Sequence, residues 1–163
     1  TLSEILPEET ILISDVGLHK IWVSNWYHPK LPGKTLIHNG LASMGASIPG
    51  AIATKLIEKS SPVVAVSGDG GFLMNAQELE TAKRLGLNFT MIVFNNQSYG
   101  LIKNHQSRAN LEVAHFNFSN PDFNLYAQSF GVDYRKATNS EEFTIAMNDA
   151  IKSERLNLLE IVL

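Results

Sequence analysis

Cysteine is absent from the 163 residues, which excludes both a disulfide framework and a thiolate metal centre and leaves the redox compartment undetermined. Nothing resembles a signal segment, and no apolar run is long enough to span a bilayer; the cytoplasm is the default expectation. An excess of one charge is lacking too. The 13 Lys and Arg against 16 Asp and Glu give a net charge of -3 with the signs scattered, so there is no basic stripe for nucleic acid and no membrane-seeking face. Internal repeats, low-complexity tracts and linkers are also missing. What remains is a chain of one-domain length, 44% hydrophobic, able to bury roughly 70% of its unfolded surface. Its partners are expected among small molecules and other protein domains.

Short apolar runs alternate with helical patterns along the whole length. Residues 10–14, 36–38, 62–66, 89–94, 132–136 and 158–163 read as strands, with helices between them, among them 46–58 and one containing Ile21, Trp22 and Val23. This alternation predicts an α/β three-layer sandwich, a mostly parallel sheet with helices on both faces. Residues 1–9 look like the tail of a helix, and the chain opens and closes abruptly, so residues 1–163 are expected to be one domain excised from a longer chain. Local signals mark the helix ends. Asn75 with Glu78 has the form of a capping box, Glu80 can pair with Arg84, and Gly86 stands where a C-terminal cap belongs. Asn120 before Pro121 predicts another N-cap, Gly131 closes that helix, and Ser140 before Glu141 and Glu142 predicts a third.

The stretch that carries chemistry is Ser67-Gly68-Asp69-Gly70-Gly71-Phe72, followed by a helix-sized spacer, an apolar strand and Asn95-Asn96-Gln97-Ser98-Tyr99-Gly100. Asp69 falls just past the C-terminal end of a strand buried on both faces, the edge of a parallel sheet where ligands bind. Gly70 and Gly71 have no Cβ, so their amides can approach a bulky anion. An anion and a carboxylate in one loop repel unless a divalent cation lies between them, and Mg2+ favours one or two protein oxygens together with phosphate oxygens. Strand, helix and strand form one βαβ unit that brings Asn96 to the same edge beside Asp69.

Gly68-Asp69-Gly70, with Asn95-Asn96 one helix and one strand later, resembles the motif of thiamine diphosphate enzymes. The flanking Gly71-Phe72-Leu73, Glu78-Leu79-Glu80-Thr81-Ala82 and Arg84-Leu85 look most like acetolactate synthases, particularly the catabolic type. The resemblance implies the C-terminal, diphosphate-binding domain of such an enzyme, with thiamine diphosphate and Mg2+ as cofactors. It implies that Asp69, the Asn96 side chain and the Ser98 carbonyl ligate the metal and that the Gly70 and Gly71 amides meet the diphosphate. By the same resemblance Val16, Gly17 and His19 lie near the diphosphate, with Leu18 standing where family members often have Gln. Met44 would prop the cofactor into a bent shape, the Ala42 carbonyl would accept its aminopyrimidine N–H, and Tyr99, Gly100 and Leu101 would line it.

The implied activity is decarboxylation of pyruvate and condensation of the product with a second 2-oxo acid. Family members activate the cofactor with a Glu on a separate pyrimidine-binding domain, usually of the neighbouring subunit, so a homo-oligomer is implied and the isolated domain is expected to be inactive. Glu78 and Glu80 are better explained by capping and pairing. Other enzymes sharing the domain (a 2-oxo acid decarboxylase, a pyruvate oxidase, an oxalyl-CoA decarboxylase) are alternatives, as is a non-catalytic nucleotide-binding module. The third Gly of the dinucleotide spacing is missing after Gly68 and Gly70, which disfavours NAD. Pro32-Gly33-Lys34-Thr35 ends like a Walker A loop, but His28 stands where Gly is required and Lys34 reads as solvated. Taken by itself, Met44 reads as core filler. Tyr99 to Gln106 continues from the loop into a helix, beyond which His105, Arg108 and His115 read as part of an exposed polar loop.

Overall fold

Valine and isoleucine crowd the runs that pair, because branched side chains pack well on a pleated surface covered on both sides. In the computed structural model, which describes residues 1–163, six strands result: β1 (Ile11–Ser14), β2 (Thr35–Ile37), β3 (Val63–Gly68), β4 (Thr90–Asn95), β5 (Asp133–Ala137) and β6 (Asn157–Val162). They form one sheet in the order β2-β1-β3-β4-β6-β5. Every neighbouring pair is parallel, so the expected mostly parallel sheet is wholly parallel.

Successive side chains point to opposite faces of a strand, and the two cores divide accordingly. Ile11, Ile13, Val63, Ala65, Met91 and Val93 pack with residues of α3 (Ser47–Ile57), α4 (Asp69–Asn75), α5 (Leu79–Arg84) and α7 (Phe123–Phe130). Leu12, Val64, Val66, Ile92 and Leu159 pack on the other face with α1 (Leu2–Ile5), α2 (Leu18–Trp26) and α8 (Ser140–Lys152). Each fully buried aliphatic side chain contributes about 1.5–3 kcal/mol, which makes β3 and β4 the firmest part of the molecule and a rigid root for whatever follows them.

From β1 the chain runs out to β2 at the edge, then crosses back to β3 on the other side of β1. This reversal opens a crevice at the carboxyl ends of β1 and β3, the position at which open α/β sheets bind ligands.

Several helix ends differ from expectation. Asn75 caps nothing; a short 3-10 turn, Ala76–Glu78, separates α4 from α5, and the Asn75 amide instead donates to the Gly45 carbonyl at 2.8 Å. Glu78 accepts from the Thr81 hydroxyl at 2.8 Å. The N-cap of α7 is Asp122, which accepts the Leu125 amide, and that of α8 is Asn139, which accepts from Glu141 and Glu142. The helix expected after Tyr99 forms as α6 (Gly100–Arg108) and carries on through His105 and Arg108, which lie on it and not in a loop; with no buried residue it has no apolar stripe to mark its end in the sequence. Lys34 is not free in solvent but pairs with Glu9 at 3.2 Å. The Glu80–Arg84 pair at 3.0 Å, Gly86 at φ +63° and Gly131 at φ +68° stand as the sequence indicated.

Candidate functional site

At the carboxyl end of the sheet a cavity of about 200 Å³ opens between the loops that follow β1, β3 and β4. Val16, Gly17 and His19 line it from the first loop, and Gly68, Asp69, Gly70 and Gly71 from the second. Asn96, Ser98, Tyr99, Gly100 and Leu101 line it from the third, with Ala42 and Met44 from the segment before α3. All fourteen positions singled out in the sequence thus face one space. Met44 belongs to neither core cluster, so it is not core filler.

Asp69 opens α4 and is almost wholly buried, at 2% exposure. The β3–β4 register places Gly68 opposite Phe94, and so the two following loops meet. Asp69 Oδ1 accepts one hydrogen bond, from the Gly70 amide at 2.9 Å. Oδ2 accepts three: the Asn96 amide at 3.2 Å, the Gln97 amide at 2.6 Å and Asn120 Nδ2 at 2.8 Å. Two consecutive amides converge on this one oxygen, and at Gln97 the chain then turns through φ +53°, a left-handed conformation uncommon for a residue with a Cβ. Asn96 Oδ1 accepts the Ser98 amide at 3.2 Å. There is no cluster of three His, Cys, Asp or Glu side chains, so a cation at Asp69 would draw on amide and carbonyl oxygens for its other protein ligands, a donor set that suits a hard ion.

A second carboxylate, Asp15, holds the frame together. It is fully buried just after β1. Its oxygens accept the Val16 amide at 2.7 Å, the Gly45 amide at 2.8 and 3.0 Å, and the Ser67 hydroxyl at 3.1 Å. One side chain therefore ties the β1 loop, the segment before α3 and the end of β3. A Cβ on Gly71 would lie 2.8 Å from Asp15 Oδ2, which is why glycine is needed at that point.

The remaining walls are tight. Gly17 has φ +155°, and a Cβ there would meet His19 Cε1 at 2.6 Å; a Cβ on Gly70 would meet Tyr99 Cε1 at 2.6 Å. The Tyr99 ring rests on Phe118 at 4.7 Å between centroids. His19 stacks on Phe94 and is 3% exposed, with Nε2 lacking any partner. Burial pushes its imidazole down from 6.5 to about 4, against the pull of Asp15 and Asp69, so the ring is neutral at pH 7. The Ser98 hydroxyl is a second buried polar group without a partner. Such orphans are costly unless something else satisfies them.

Sequence reasoning missed Asp15 and Asn120 as site residues, and Trp22 and Phe94 as cavity walls. For Trp22 a signal existed: three residues after His19 on a helix, it must share that residue's face. Phe94 could have been found from strand register alone.

Comparison with known proteins agrees with this geometry. Residues 15–161 match the family described as thiamine pyrophosphate enzyme, C-terminal TPP binding domain. The chain is 30% identical to an acetolactate synthase of Bacillus subtilis over 98% of its own length and 28% of that protein's. It is 30% identical to the acetolactate synthase isozyme 2 large subunit of Escherichia coli, over 98% of the chain and 30% of the relative. It is 32% identical to a catabolic acetolactate synthase of Raoultella terrigena, over 80% of the chain and 23% of the relative. The chain thus spans less than a third of the length of these curated relatives. With a cavity at the sheet's switch point, a carboxylate and an amide at adjacent strand ends, and a family match over nearly the whole length, the chain belongs to the C-terminal thiamine pyrophosphate-binding domains of thiamine pyrophosphate enzymes.

Proposed function

We propose that this domain holds thiamine diphosphate through Mg2+ bound by Asp69, Asn96 and the Ser98 carbonyl, as part of an acetolactate-synthase-like enzyme. That enzyme decarboxylates pyruvate and condenses the product with a second 2-oxo acid. The observation that carries the reading is the unequal loading of Asp69: Oδ2 has three donors and Oδ1 only one. An ionised carboxylate offers about two lone pairs per oxygen, so Oδ1 is the one with room for a cation. Neighbouring Asn96 supplies a neutral oxygen from the next strand end.

The chain's residues fit the cofactor in other respects. Glycine at 17 and 70 keeps the floor of the cavity free of side chains, and the Gly71 amide lies in the first turn of α4, where no carbonyl stands four residues back within the helix. The orphaned His19 Nε2 and Ser98 hydroxyl offer polar contacts to a ligand. Bound thiamine diphosphate supplies the electron sink that a 2-oxo acid needs in order to lose carbon dioxide. The domain's part is to grip the charged end and hold Met44 and Leu101 against the rest of the molecule.

No glutamate lines the cavity; Glu78 is bound to Thr81 and Glu80 to Arg84. The family resemblance implies that the activating Glu comes from a pyrimidine-binding domain, of a neighbouring subunit, and the lining of this cavity is consistent with that. Trp22, Ile102 and Leu163 line the cavity and are also exposed, an apolar rim of the kind that another protein surface covers. A homo-oligomer accords with this arrangement. Calorimetry on the enzyme tests the reading: thiamine diphosphate should bind with Mg2+ present and be released by EDTA. Binding indifferent to EDTA, or binding of ATP or NAD in its place, would refute it.

A further inference from the structure

We propose that Glu160, Asn95 and Asn120 form a positioning relay that fixes which oxygen of Asp69 faces the cation; the inference rests on the metal-site reading above. Glu160 on β6 is a buried carboxylate, 6% exposed, and no Lys or Arg pairs with it. Ionised, it can only accept hydrogen bonds. Its donors are Asn95 Nδ2 at 2.6 Å and the Tyr134 hydroxyl. Asn95 therefore turns its nitrogen to Glu160 and its oxygen the other way. That oxygen accepts from Asn120 Nδ2 at 2.8 Å, and the same nitrogen gives its second hydrogen to Asp69 Oδ2 at 2.8 Å.

A carboxylate stands at each end of this series, so the two amides between them can be arranged in only one sense. With Asn95 turned over, its oxygen would face Glu160. With Asn120 turned over, its oxygen would face both Asp69 and Asn95. The preferred sense leaves Asn120 Oδ1 buried without a partner, a penalty that a native structure tolerates where another requirement outweighs it. Here the requirement is the third donor on Asp69 Oδ2, which completes the loading of that oxygen and leaves Oδ1 for the metal. Groups that orient a ligand in this way commonly change metal affinity by tenfold to a hundredfold when removed.

The test uses the enzyme that carries this domain, saturated with thiamine diphosphate, and reads free Mn2+ by electron paramagnetic resonance during titration. Asn120→Ala should weaken Mn2+ binding about tenfold or more, and Asn95→Ala should weaken it in the same direction. Because the two act in series, the double variant should be no weaker than Asn120→Ala alone. Thermal melting without cofactor reports folding separately, and a merely structural role would lower the melting temperature while leaving Mn2+ affinity unchanged. Asp69→Asn distinguishes the two levels. If it abolishes Mn2+ binding while Asn120→Ala changes affinity less than about twofold, the relay is wrong and the metal site stands; if Asp69→Asn binds normally, the metal site itself is wrong. A crystal structure of the wild-type enzyme decides independently of any variant: Asn120 bonded to both Asp69 and Asn95 supports the relay, and Asn120 turned away from an Asp69 that holds the cation overturns it.

Discussion

Replacing Asp15 by Asn tests whether a buried carboxylate, rather than the loops' own preferences, holds the mouth of the cavity in shape. The side chain is fully buried and accepts two backbone amides, those of Val16 at 2.7 Å and Gly45 at 2.8 and 3.0 Å, besides the Ser67 hydroxyl at 3.1 Å. Asn has the same shape, but one acceptor becomes a donor and the charge is lost. A hydrogen bond to a charged group contributes about 1.5–3 kcal/mol net, against about 0.5–1.5 for a neutral one. Two backbone bonds each weakened by about 1 kcal/mol give a loss of about 2 kcal/mol. Asp15→Ala leaves both amides without an acceptor, at about 1–3 kcal/mol each, or about 4 in total. The segment before α3 should respond most, since Gly45 is held at φ +84° by Asp15 on its amide and Asn75 on its carbonyl. Hydrogen–deuterium exchange of peptides spanning residues 40–47, which hold the Gly45 bond alone of the two, should therefore quicken about fivefold in Asp15→Asn, the equivalent of about 1 kcal/mol of local opening. Unchanged exchange in that segment, with global stability within about half a kcal/mol of the wild type, would show that Asp15 is not the tie that the geometry describes.

His19 gives a pH prediction with a definite sign. The folded imidazole titrates at about 4 and the unfolded one near 6.5, so between those values the unfolded chain binds a proton that the folded chain does not. Stability is then complete above pH 6.5 and falls as the pH drops toward 4, by about 3 kcal/mol in all; urea midpoints should follow that slope, and His19→Gln should flatten it. Gly70→Ala places a methyl 2.6 Å from the Tyr99 ring and 3.2 Å from Phe118, an overpacking that costs about 1–3 kcal/mol. Adding Tyr99→Ala should recover most of that stability in denaturant melts, and a double variant as unstable as Gly70→Ala would place the clash elsewhere.

The layered fold was legible because strands buried on both faces leave continuous apolar runs, and the site because glycines and a carboxylate followed such a run directly. The residues that escaped detection share a physical cause. Asn120 stands before a proline and an aspartate, a pattern that local chemistry reads as a helix start, yet two acceptors distant in sequence, Asp69 and Asn95, claim its amide and leave the cap to Asp122. Asn75 was drawn away in the same manner by Gly45. Polar side chains choose among partners by tertiary geometry, and one sequence does not show which partners will be near. Asp15 has no distinguishing mark in the sequence because what sets it apart, the convergence of two loops and the end of β3, exists only once the sheet has formed. α6 is legible at its start after Tyr99, but a helix with no buried side chain has no apolar period to show how far it runs, so His105 and Arg108 read as loop in the sequence.

Difference anomalous scattering from crystals of the enzyme grown with Mn2+ and thiamine diphosphate bears on the central claim most directly. One peak is expected at roughly 2.0–2.3 Å from Asp69 Oδ1, Asn96 Oδ1 and the Ser98 carbonyl. A peak elsewhere, or a bound cofactor whose diphosphate lies away from Asp69 and Asn96 with no metal between, would contradict it.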